Sequence, residues 1–212
     1  VDAAQSFISR NKGRYEKNMV ANRDAGTPVR KITVKNRQEQ YKELLRVARE
    51  SHPDTAILYR DNDSAVVIAD LLFRNNVPFN LKRPERSFYE NRVVQDMINY
   101  LRLVLDEYDW QAFDRICRKG ILYIKASPQK YVVQICKTQK CSVYDALEQQ
   151  SPDVKKHLKE IEILRTSLRR AKMETTKNAI RIIMNAGYEN YCRQENLDRG
   201  KLEILLMLAT QE

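Results

Sequence analysis

The sequence predicts an α+β chain that is mostly α: a small, incomplete parallel sheet of about three strands, followed by an all-helical domain. Three observations carry this. Up to about residue 85, short β-rich runs alternate with stretches of helical periodicity; after Arg83-Pro84-Glu85-Arg86 only the 3.6-residue period recurs; and 212 residues hold just 5 glycines, few for a fold built on tight turns.

In order, a short helix ends near Gly13, and Val29 to Val34 has strand character. Tyr41, Leu44, Leu45 and Ala48 then recur at helical spacing, and strand Thr55 to Tyr59 follows. Asp63 or Ser64 offers a cap for a helix whose stripe is Val67, Ile68, Leu71 and Leu72, and Asn75-Asn76 ends it before a third strand, Val77 to Leu81. Beyond the break, Val94, Ile98, Leu101 and Leu105 mark one helix, and Phe113, Ile116 and Cys117 another. Ser127-Pro128 and Ser151-Pro152 each place a capping hydroxyl before a proline at the first helical position. The second of these opens a long helix with Val154, Leu158, Ile161, Leu164 and Leu168 on one face, and a final helix carries Leu202, Leu205, Leu206 and Leu208. The domain division therefore falls at residues 84 and 85, giving 1–84 and 85–212.

Composition narrows the function. A formal charge of +10 favours a polyanion partner, because each Lys or Arg set on a phosphate releases a condensed counterion. The four cysteines form no Cys-x-x-Cys pair and only His52 and His157 could join them, which argues against a zinc site and for reduced thiols in a cytoplasmic protein. Cys117 and Cys136 fall on apolar helix faces, as small buried residues do. No apolar run approaches the roughly 20 residues that span a bilayer, and Val1-Asp2-Ala3-Ala4-Gln5 has neither a signal-peptide pattern nor an initiator Met, so a piece of a longer chain is expected.

Catalytic motifs are scarce. Arg102-Leu103-Val104-Leu105-Asp106-Glu107 has the look of a strand ending in a magnesium ligand and a base, but its apolar residues hold a helical period back to Val93. No Gly-Lys-Ser or Gly-Lys-Thr occurs, and Gly200-Lys201 is followed by Leu202, so the sequence contains no phosphate-binding loop. Neither histidine stands in a nucleophile motif.

Binding residues are easier to find. In Ile57-Leu58-Tyr59-Arg60-Asp61-Asn62, Arg60 and Asn62 put a cation and an amide at the turn into a helix, within reach of a nucleic-acid backbone. Between residues 115 and 140, Arg115, Arg118, Lys119, Lys125, Lys130, Lys137 and Lys140 accompany no acid, Asp114 lying just before them. That local excess suits a phosphate contact, with Tyr123 and Tyr131 placed to stack. The basic face of the long helix is interleaved with Glu160, Glu162 and Glu174, the pattern of a solvated surface.

Taken in order, these residues resemble the second motor half of UvrD/PcrA/Rep-like superfamily 1 DNA helicases over nearly the whole chain. Asn11-x-x-Arg14-x-x-Lys17-x-Met19 is similar to the segment after that family's Asn-Tyr-Arg-Ser motif, and Ile57 to Asn62 to its single-strand-contacting motif in the second RecA-like domain. Val77-Pro78-Phe79, Phe88-Tyr89, Asp96, Tyr100-Leu101-Arg102-Leu103 and Phe113-Asp114-Arg115 resemble the passage into the helical insertion, subdomain 2B. Gly187-Tyr188, Arg199 and the leucine-rich helix resemble its end. Lys119-Gly120-Ile121-Leu122-Tyr123 departs from the pattern, with one glycine where many relatives have Gly-Ile-Gly to hold duplex DNA, and Leu202 stands where an Asn is usual.

The resemblance implies a partial RecA-like subdomain 2A over 1–84 and insertion 2B over 85–212, from an ATP-dependent helicase that tracks single-stranded DNA 3′ to 5′ in repair, recombination or restart. Arg60 and Asn62 would hold the tracked strand. The implied DNA-binding set is Arg60, Asn62, Arg115, Arg118, Lys119, Lys125 and Lys130, with no catalytic or metal residue. ATP and magnesium belong to the parent protein, and no cofactor to this segment, which alone is expected to be inactive. Single-stranded DNA is the expected partner, then duplex DNA and a protein docked on the insertion, with no membrane. Two alternatives stand beside this: a non-catalytic scaffold derived from a helicase, and part of an AddA/RecB-like helicase-nuclease.

Overall fold

The computed structural model describes residues 1–13, 15, 17, 19–24, 26–50, 55–60, 62–81, 86–121, 126–149 and 158–210. They form two compact units, 1–46 and 47–212.

In the first unit, α1 (Asp2–Ile8) buries nothing, and α2 (Arg37–Glu50) runs across the division between the units. Asn36 starts α2: its Oδ1 accepts from the Glu39 N–H at 2.9 Å, while the Glu39 carboxylate accepts from the Lys35 N–H at 2.8 Å. The first bond satisfies an N–H that the first helical turn cannot pair itself, and the second ties the chain just before the helix to that turn. Tyr41, Leu44, Leu45 and Ala48, expected as one face, are all half-buried.

The expected sheet is absent from the described residues. Among the described residues none is in a β-strand, and Val29 to Val34, Thr55 to Tyr59 and Val77 to Leu81 are all irregular. A ladder needs hydrogen bonds from a neighbour, and a β-rich composition supplies only one side of the pair. No backbone hydrogen bond joins 55–59 to 77–81 among the described residues; both segments instead line a groove of about 1170 Å³ floored by Ile68, Ala69 and Leu72. Leu58, expected in a strand, is 93% exposed, and Val29 is 83% exposed. The fold of the described residues is therefore all-helical.

The second unit holds α3 (Asn62–Arg74), α4 (Arg86–Tyr89), α5 (Arg92–Leu105), α6 (Trp110–Ile116), α7 (Ala126–Gln139) and α8 (Val143–Glu148). It continues with α9 (Leu158–Lys172), α10 (Thr176–Ile183), a π-helical turn (Met184–Tyr188), α11 (Glu189–Gln194) and α12 (Gly200–Leu208). Sequence signals fix several boundaries. α3 stops at Asn75-Asn76, as expected: Asn76 takes φ 54, a left-handed conformation asparagine tolerates, and the Val77 N–H reaches back to the Leu72 carbonyl at 3.0 Å. Its start is not capped by Asp63 or Ser64, since Asn62 is already helical. α7 begins at Ala126, one residue ahead of the Ser127 proposed as its cap, and Ser151-Pro152 lies outside the described residues.

α5 is the hub. Its apolar surface was expected as the stripe Val94, Ile98, Leu101 and Leu105, yet Leu105 is 73% exposed while Val93, Met97, Tyr100 and Leu103 are buried. A one-stripe template assumes one covered side; α5 is packed by α4, α6, α9, α10 and α12, so its buried arc is wider. Even Asp96 and Asn99 are buried on it. Asp106 caps the C-terminal end, so Asp106-Glu107 closes a helix. At the next corner Asp109 caps α6 through the Ala112 N–H at 2.9 Å, and Arg102 donates to the same carboxylate at 2.9 Å. Cys117 and Cys136 are buried, as their faces predicted.

Candidate nucleic-acid interface

Two groups of predicted residues lie on different elements. Arg60 precedes α3 by two residues and Asn62 is its first residue; both are exposed, and Asp61 between them lies outside the described residues. A cation and an amide thus share the N-terminal end of a 13-residue helix, the end whose dipole favours an anion. Asp63 in the first turn is paired, its Oδ1 2.5 Å from the Lys201 ammonium of α12. An incoming phosphate therefore meets little repulsion from Asp63.

The second group gathers around α6 and α7. Arg115 near the end of α6, Arg118 in the turn after it and Lys130 on α7 are exposed. Asp114 is held by Gln129, whose Nε2 donates to its Oδ1 at 2.6 Å and to its carbonyl at 2.9 Å, which ties α7 to α6. Lys137 lies 4.1 Å from the centre of the Trp110 ring, a cation–π contact. Lys140 and Tyr131 are exposed, whereas Lys125 and Tyr123 lie outside the described residues.

Lys119 behaves differently from its neighbours. Its ammonium turns inward to Asp96 Oδ1 at 2.5 Å, and the carboxylate is 2% exposed. The other Asp96 oxygen accepts from the Tyr188 hydroxyl at 3.1 Å. The Lys119 carbonyl accepts from the Tyr100 hydroxyl, and its N–H donates to the Ile116 carbonyl at 2.8 Å. Burial, then the Asp96 charge, pushes the Tyr188 phenol far above its ordinary value, and burial does the same for Tyr100. Both phenols therefore stay protonated and donate.

Two glycines close this joint. Gly120 has φ 91, and a Cβ there would stand 3.0 Å from both the Tyr100 hydroxyl oxygen and Tyr188 Cα. Gly187, at φ 146 inside the π-helical turn, would place a Cβ 3.2 Å from Ile121 Cα. The turn after α6 and the π-helical turn can approach this closely only without side chains at those positions. Periodicity and charge counting missed the joint, because its partners are 23 and 92 residues apart in sequence. The residue types offered a weak signal: an acid on an otherwise apolar helix face, and a Gly-Tyr pair inside a helical segment.

A model of the UvrD-like helicase C-terminal domain matches residues 1–201, and the chain belongs to that family. The chain is 27% identical over 121 residues to the ATP-dependent DNA helicase Rep of Buchnera aphidicola subsp. Schizaphis graminum, covering 54% of this chain and 18% of the relative. With the putative ATP-dependent DNA helicase YjcD of Bacillus subtilis, identity is 28% over 162 residues, 73% of this chain and 21% of the relative. With DNA helicase II of Haemophilus influenzae it is 29% over 122 residues, 55% and 17%. The chain thus spans about a fifth of the length of the curated relatives it matches. No helix among the described residues is long and apolar enough to cross a membrane.

Proposed function

We propose that this chain is the DNA-holding part of an ATP-dependent DNA helicase. The observation that carries the reading is the family match over residues 1–201, coupled to exposed cations at the two places the sequence nominated, the start of α3 and the end of α6. Arg60 and Asn62 contact the backbone of a single strand. Arg115, Arg118 and Lys130 add phosphate contacts, on that strand or on an adjoining duplex. Such contacts set register and affinity without reading sequence, as a translocating protein requires.

ATP hydrolysis is not carried by these residues. The sequence has no Gly-Lys-Ser or Gly-Lys-Thr loop, so its residues do not fit a nucleotide with its magnesium, and none of the binding roles passes through one. The chain alone binds DNA without turning over ATP.

Arg60→Ala tests the reading. Affinity for a fluorescein-labelled single-stranded oligonucleotide should fall by about 1 kcal/mol, and the slope of log K against log salt should become shallower by about 1. A scaffold that has lost its DNA role is indifferent to this substitution, and an unchanged affinity and slope would overturn the assignment.

A further inference from the structure

We infer that Asp96 is a positioning residue for the DNA grip: through Lys119 it fixes the turn from which Arg115 and Arg118 project. The inference rests on the proposed DNA role of those two arginines and assigns a task to a buried carboxylate that touches no ligand.

The geometry has an inner and an outer side. On the inner side every polar group of Lys119 is committed: ammonium to Asp96, carbonyl to Tyr100, N–H to Ile116. On the outer side Arg118, the adjacent residue, and Arg115, on the last turn of a helix only 7 residues long, are exposed. A helix that short has little rigidity of its own and takes its orientation from what it is packed against and tied to. The tie runs to α5 through Asp96 and Tyr100, and to the π-helical turn through Tyr188 and the Gly120–Gly187 approach. Single-turn π distortions recur where a helix is adjusted for function.

Charge explains why an ion pair serves here. Uncharged bonds could close the same turn, but a buried carboxylate must keep its counter-ion. Lys119 is thereby withheld from DNA while its neighbours are presented to it. The joint selects which cations of the Arg115 to Lys119 run face a phosphate, and it holds them at a fixed spacing, so that less ordering remains to be done on binding.

The experiment titrates a fluorescein-labelled duplex bearing a single-stranded tail with four forms of the full chain across a salt series: unaltered, Arg115→Ala/Arg118→Ala, Asp96→Asn and Tyr188→Phe. Circular dichroism at the working temperature confirms folding, so that the slope reports on folded protein. Arg115→Ala/Arg118→Ala should make the slope shallower by about 2. Asp96→Asn keeps both arginines and the side-chain volume, yet should weaken binding about three- to tenfold with a slope shallower by about 1. Tyr188→Phe should change it in the same direction by less, and carries the test alone if Asp96→Asn does not fold. A purely structural role would lower the melting temperature and leave slope and affinity of the folded variant unchanged. That result, or tighter binding through a freed Lys119, overturns the positioning role when Arg115→Ala/Arg118→Ala still weakens binding. If the double arginine variant itself binds as the unaltered chain does, the DNA role of this turn fails and the inference with it.

Discussion

Asp96→Ala should destabilise the chain by about 3–5 kcal/mol, the range for breaking a buried ion pair from one side. The substitution leaves the Lys119 ammonium, whose side chain is 25% exposed, without its partner, and takes from the fully buried Tyr188 hydroxyl its carboxylate acceptor. Each loss adds to the other, because a donor shut away from water forfeits its full solvation. At roughly 2–4 °C per kcal/mol for a chain of this size, the melting temperature should fall by about 10 °C, read by circular dichroism or calorimetry. Asp96→Ala/Lys119→Met should be less damaging than Asp96→Ala alone, since removing both charges leaves neither one stranded. A loss below about 1 kcal/mol for Asp96→Ala would mean that the carboxylate is solvated and the joint open.

Phe113→Ala should cost a similar amount, about 3–5 kcal/mol, by a different route. Phe113 is 0% exposed and lies in the central cluster, on an α6 packed between α5 and α7. Truncating it removes the ring's burial and leaves a cavity that rigid neighbours cannot collapse into. The Asp109 cap and the Gln129–Asp114 bonds remain, so α6 should loosen before it melts. DNA affinity should drop with stability, because Arg115 rides on the same helix. Phe73→Ala is the control: Phe73 is 75% exposed on α3, and its loss should stay within about 0.5 kcal/mol.

How much of this could be read in the sequence depends on how local each feature is. Helices α2, α3 and α5 were legible from spacing, and the stop at Asn75-Asn76 from the residues that tolerate a left-handed turn. These are properties of a dozen contiguous residues. The sheet was misread because strand character at 55–59 and 77–81 is local, whereas pairing is not; the two runs border a groove without joining. α5 was read as one-sided because periodicity cannot report how many neighbours a helix has. The arginines and lysines after Asp114 were legible as a charge excess. That Lys119 turns inward to a carboxylate was not, since the carboxylate that claims it lies 23 residues earlier. Resemblance named Asp96, Tyr100, Gly187 and Tyr188, but only the folded chain brings them to one point.

The proposed grip of DNA by exposed cations is read from the salt dependence of binding by the unaltered chain to a labelled single-stranded oligonucleotide, followed by fluorescence anisotropy. Four exposed cations, Arg60, Arg115, Arg118 and Lys130, each releasing counterion at roughly 0.7 per contact, predict a linear plot of log K against log salt with a slope of about −3. Binding that is absent at low salt, or that persists with a slope near zero, would rule out a phosphate grip by these cations.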